Sequence, residues 1–167
     1  YMKKINNIKL IRKLIERNKN ILLLTNSSKM KKLELIDIWW RGESNGNLMV
    51  LIAYIITLNS NAGIRILRMT QNGEDPGRSR EDMEVLLNSS RLDGEVVILE
   101  HEECEIYDKL KKHSSGADLI MMGLPGSFSK EGVIRLFGIN EMFFDREIAK
   151  YEDLPPVLFV KSAQNIE

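Results

Sequence analysis

Six short runs dominated by aliphatic and aromatic residues alternate with longer segments of helical period, and this alternation constrains the fold more than any other feature. The runs are Ile21-Leu22-Leu23-Leu24, Leu35-Ile36-Asp37-Ile38-Trp39-Trp40, Ile64-Arg65-Ile66-Leu67-Arg68-Met69, Val96-Val97-Ile98-Leu99, Leu119-Ile120-Met121-Met122 and Val157-Leu158-Phe159-Val160. Near-continuous apolar runs of this length suit strands covered on both faces. Between them, residues 4–17 carry Ile5, Ile8, Ile11 and Ile15 at spacings of three and four, the period of one helical face. Residues 47–58, 78–91, 103–113 and about 131–151 read as further helices, the last stopped by Pro155-Pro156. Short loops between alternating strands and helices predict an α/β fold: a mostly parallel, Rossmann-like sheet with helices on both faces. We expect residues 35–167 to form this domain. Residues 1–34 supply a basic helix, a short strand and a connector, read as the end of a preceding subdomain.

Composition narrows the function. The 167 residues balance 24 Lys+Arg against 24 Asp+Glu, so no global field draws the chain to nucleic acid, and no nucleic-acid partner is expected. The most apolar stretch, residues 48–58, is about half the length of a membrane span, so no direct membrane insertion is expected. Cys104 is the only cysteine, which excludes an intrachain disulfide and a multi-cysteine zinc site. With His101 and His113 the only histidines, no metal site is expected. The Tyr1-Met2 opening, without a signal-peptide pattern, reads as a fragment whose membrane-spanning part lies outside it.

Ligands of open α/β sheets settle at the carboxyl ends of strands, so glycine turns after strands are the candidate sites. Gly42-Glu43-Ser44-Asn45-Gly46-Asn47 precedes an apolar helix; its backbone N–H groups suit an anion, and Asn45 or Asn47 suits a helix cap. Its spacing fits neither the dinucleotide fingerprint nor a Walker A loop. Gly123-Leu124-Pro125-Gly126-Ser127 is the second such exit. We take Gly42, Asn45, Gly46, Asn47, Gly123, Gly126 and Ser127 as candidate ligand or interdomain contacts. Residues 71–82 gather Asp75, Arg78, Arg80, Glu81 and Asp82 at a helix start and read as a solvated, ion-paired face. Trp39 and Trp40 are adjacent on a strand, so their rings point to opposite faces, both expected to be covered by helices. No nucleophile elbow or Ser/His/Asp arrangement is visible, so no catalytic residues are expected and the chain is read as not an enzyme.

The second glycine turn resembles that of universal stress proteins, which bind ATP with a Gly-x-x-Gly element at this place. Gly123 and Gly126 match it, but Leu136-Phe137 stand where that pattern wants a further Gly and a hydroxyl residue. The ATP pattern is therefore incomplete and no cofactor is expected. A broader resemblance covers residues 35–161. Ile36-Asp37-Ile38-Trp39-Trp40, the Gly/Asn turn and its helix, Ile64-Arg65-Ile66-Leu67, Leu86-Leu87-Asn88-Ser89-Ser90-Arg91-Leu92-Asp93 and Leu154-Pro155-Pro156-Val157 follow one another as in the C-terminal cytoplasmic region of cation-chloride cotransporters. That resemblance implies a universal-stress-protein-like fold and a non-catalytic regulatory domain of a Na-K-Cl type transporter. It also implies a homodimer, with the transmembrane domain of the same polypeptide as partner, at the cytoplasmic face of the cell membrane. The alternative is a stand-alone, nucleotide-binding universal-stress-type protein.

Overall fold

The computed structural model describes residues 7–71, 73–100, 105–124, 146 and 148–163. Its elements in chain order are α1 (Asn7–Glu16), β1 (Ile21–Thr25), β2 (Leu35–Trp40), α2 (Glu43–Thr57), β3 (Gly63–Met69), α3 (Pro76–Ser89), β4 (Glu95–Leu99), α4 (Ile106–Ser114), β5 (Leu119–Gly123) and β6 (Val157–Lys161), with a 3-10 turn at Ser27–Lys29. The six apolar runs are the six strands, joined in one sheet of order β1-β6-β5-β2-β3-β4. Every pairing is parallel except β1 with β6 at the edge. The mostly parallel α/β architecture read from the alternation is the observed one. No helix among the described residues is long and apolar enough to cross a membrane.

Two cores lie on the two sides of the sheet. On one side Ile11 and Ile15 of α1, Leu110 of α4, and Tyr151 and Leu154 pack on Trp39, Ile120, Met122 and Phe159. On the other, Met49, Val50 and Ala53 of α2 and Met83 and Leu87 of α3 pack on Ile36, Ile38, Trp40, Ile66 and Met121. Trp39 and Trp40 thus divide between the two cores, both buried, as adjacent strand residues must. The opening segment joins the same body: β1 pairs with β6, and the Asn26 amide donates to the carbonyl oxygen of Tyr151 at 2.7 Å.

Strand β2 is the centre, paired with β3 and β5 and buried on both faces. It nevertheless carries a carboxylate, Asp37, with no solvent exposure. Arg65 stands directly opposite on β3 and donates from Nε to Oδ1 at 2.8 Å and from Nη2 to Oδ2 at 2.7 Å. Such a fork-to-fork pair satisfies both groups and fixes strand register. Its Nη2 also donates to the His113 carbonyl at 3.1 Å, while Trp39 Nε1 donates to Ser114 Oγ at 2.9 Å. The C-terminal end of α4, whose carbonyls lack helical partners, is thereby tied to the middle of the sheet. Asp37 holds the guanidinium of Arg65 above its ordinary value, chiefly by these hydrogen bonds.

Asp37→Ala leaves a largely covered guanidinium unpaired and is expected to cost about 3 to 5 kcal/mol. A lower urea midpoint at unchanged slope is the readout. The double replacement Asp37→Leu with Arg65→Met is expected to recover most of the loss; a single variant as stable as the parent would contradict this account of the pair.

Candidate functional site

Strand β2 lies between β5 and β3, and its two neighbours are reached over opposite faces, because α2 belongs to one core and α4 to the other. The carboxyl ends of β2 and β5 therefore form the topological switch point, where open α/β sheets bind ligands. Gly42 and Gly123, one from each glycine turn singled out in the sequence, stand there.

Helix α2 begins at Glu43 and not at residue 47, so Asn45, Gly46 and Asn47 are helical and only Gly42 makes the turn. Gly42 is the N-cap, with φ 152° and ψ 160°, a conformation essentially reserved for glycine. Neither Asn45 nor Asn47 is the N-cap, since both lie inside the helix and Gly42 holds that position. Gly46 is required for space: a Cβ there would fall 2.3 Å from the Trp40 ring. The helix extends back to Glu43 because Gly46 allows its first turn to lie directly on the indole.

Asn45 closes the switch point. Its Oδ1 accepts from the Ser162 backbone N–H at 2.8 Å, just beyond β6. Its Nδ2 lies 3.1 Å from where a Cβ on Gly123 would stand, so a side chain there would press on this amide and require it to give by a few tenths of an ångström. Asn45 and Gly123 are thus brought together, as the reach of one side chain across the exits of β5 and β6. Gly126 and Ser127 lie outside the described residues, as do Cys104 and residues 131–145 of the helix expected over about 131–151.

The open space lies one strand further along. A cleft of about 930 Å³ opens at the ends of β2 and β3, between α2 and α3, lined among others by Arg41, Gly42, Asn47, Arg68, Gln71 and Glu74. Asp75 caps α3 by accepting from the Arg78 N–H at 2.8 Å, and Pro76 occupies the first helical position. Glu74 beside it accepts from Ser79 Oγ at 2.5 Å, from the Gln71 N–H at 2.9 Å and from Arg68. The Ser79 hydroxyl first, then the Gln71 amide and Arg68, lower the Glu74 carboxyl from 4.5 to about 2. A carboxylate so stabilised is a feeble base, and Ser79 is 1% exposed, so this hydroxyl–carboxylate pair holds the loop and does not form a nucleophile. Sequence reading placed ion pairs in this stretch but missed the network, because Arg68 comes from the preceding strand. Among the described residues no cluster of His, Cys, Asp and Glu suits a metal ion.

No family model matches the chain, and no curated protein does. Solved structures do. A universal stress protein in complex with cAMP shares 17% identity at a TM-score of 0.54, over 80% of this chain and 100% of that one. A universal stress protein from Archaeoglobus fulgidus DSM 4304 shares 13% at 0.56, over 88% of this chain and 51% of that one. A universal stress protein family member from Burkholderia pseudomallei shares 16% at 0.45, over 64% and 92%. The fold is universal-stress-protein-like. Identities this low speak for the fold alone, and none of these three matches points to a cotransporter.

The Glu74 network yields a pH prediction. Its folded carboxyl titrates below the unfolded 4.5, so its contribution to stability is complete above that pH and is lost as pH falls through about 2. Side-chain carboxyl NMR should show a Glu74 midpoint near 2, rising toward 4.5 in Ser79→Ala. A parent midpoint at 4.5 would contradict the hydrogen bonding described.

Proposed function

We propose that the chain is a non-catalytic cytoplasmic regulatory and dimerisation domain of a membrane cation-chloride cotransporter of the Na-K-Cl type. The observation that carries this reading is helix α2, whose outer side is as apolar as its inner one. Met49, Val50 and Ala53 are buried against the sheet while Leu51, Ile55 and Leu58 face outward and exposed. A helix apolar all round is normally buried all round, so α2 has the character of an element made for assembly. The order of motifs over residues 35–161 supports the choice of transporter family, and the Asn45 bridge supports a scaffold, because a phosphate at the switch point would have to displace an amide bonded to Ser162.

The second reading is a stand-alone nucleotide-binding universal-stress-type protein. The cleft beside Arg41 and Gln71 favours it, as does the neighbour solved with cAMP. A ligand bound only by the folded state raises the unfolding temperature.

Chloride-dependent cation uptake by the parent polypeptide, with and without this domain, is the test, run beside thermal melts of the domain with and without ATP. Uptake altered by removal and melts indifferent to ATP are expected. Unaltered uptake together with an ATP-dependent rise in melting temperature would replace this reading with the second.

A further inference from the structure

The sheet has an uncovered region on its α2 side, and it is continuous with the outer side of α2. On β6, Leu158 and Val160 belong to the α2 side and Val157 and Phe159 to the other. The register pairs Leu22 with Val160 and Leu24 with Leu158, so Leu22 and Leu24 of β1 also point to the α2 side. Both are exposed, Leu22 at 54%. Ile21, on the opposite side, is buried under α1.

The flank of α2 that faces these strands is identified by Asn45, which reaches past the end of β6. Helical spacing places Leu48, Ile52 and Ile55 above Asn45 on that same flank. Leu48 and Ile52 are half-buried and Ile55 is exposed. One apolar surface therefore runs from Leu51 and Leu58 on the crest of α2, down through Ile55 and Ile52, to Leu24 and Leu22 on the edge strand. Leu58 is 65% exposed. A largely parallel sheet is normally covered on both faces, and here the α2-side face of β1 is exposed while Val160 of the neighbouring β6 is buried.

We infer that a second copy of this chain covers this surface, pairing α2 with α2 across a two-fold axis. The inference rests on the dimerisation part of the proposed function and supplies its interface. Leu51, Tyr54, Ile55 and Leu58 recur at three, four and seven residues, the spacing of a helix–helix seam. From Ser44 to Leu58 the sequence contains no Asp, Glu, Lys, Arg or His, and neither does Ile21–Thr25. A two-fold axis sets a patch against itself, and a neutral apolar patch meets its own image without like-charge repulsion. An anionic membrane or an acidic protein would find no basic residue on it to engage. Taking α2 as about 22 Å long and about 10 Å wide, with one strand spacing of about 4.8 Å for β1, the patch projects to roughly 300 Å². That is the size of the largest apolar patch on many monomers, often a functional one, and less than half of what each partner contributes to a standard interface. The dimer is therefore weak and reversible, its rim supplying the remainder.

The experiment is sedimentation velocity over a concentration series on the whole chain, on Leu51→Glu with Leu58→Glu, and on Leu10→Glu, an exposed leucine of α1 on the far side of the sheet. Circular dichroism melts report folding. The parent and Leu10→Glu should dimerise alike, and the α2 variant should weaken association about 100-fold with its melt unchanged. A parent dimer that survives in the folded α2 variant would overturn this interface while leaving the regulatory reading intact. A parent monomeric at every concentration would overturn both the interface and the dimerisation part of that reading. Should the α2 variant not fold, Leu51→Cys in a Cys104→Ser background decides: a short bismaleimide should link two copies, and no link would overturn the proposal.

Discussion

Asp37 is a charge at the centre of the sheet, and the arrangement around it depends on Arg65 neutralising it in place. A carboxylate with no exposure cannot stay ionised in an apolar interior unless a cation supplies both charge and hydrogen bonds. Arg65 does so from the facing position of the neighbouring strand, which makes a one-residue slip between β2 and β3 prohibitive. The same guanidinium reaches the His113 carbonyl, and the adjacent Trp39 indole reaches Ser114. Strand register, the end of α4 and the depth of Trp39 in its core are thus set by one cluster.

The other side of β2 works by shape. Trp40 points into the α2 core, and the helix lies on it because Gly46 offers no side chain at the contact. That close approach carries Asn45 across the exits of β5 and β6, where it bonds to Ser162. The Asn45 side chain thus lies at the place where a doubly wound sheet usually receives its ligand. A polar cleft opens one strand away, lined by two cations, Arg41 and Arg68, of which Arg68 is engaged by Glu74. The apolar outer side of α2 and the bare face of β1 stand on the same side of the sheet.

Strands were legible because burial on both faces leaves a continuous apolar run, and all six runs became strands. Helix starts were less so: Gly42-Glu43-Ser44-Asn45-Gly46 has the composition of a turn, yet four of its five residues are helical, and only the position of the Trp40 ring explains Gly46. The contact of Asn45 with Ser162 was out of reach of the sequence, since its partner lies 117 residues away and leaves no local trace. The Asp37–Arg65 pair was hidden for the same reason, each residue reading as an interruption of its own strand until register set them opposite. The antiparallel edge pairing of β1 has no counterpart in local pattern either, and with it the uncovered face remained out of view.

Asn45 spans the strand ends, and the crest of α2 with the edge strand is the surface assigned above to a second copy. Amide hydrogen exchange on the whole chain, at low and high protein concentration and each with and without ATP, tests both halves in one measurement. Exchange over residues 47–58 and 21–25 should slow as concentration rises, while residues 41–46 and 119–123 should be indifferent to ATP. Slowing of 41–46 and 119–123 by ATP, with 47–58 unchanged by concentration, would contradict it.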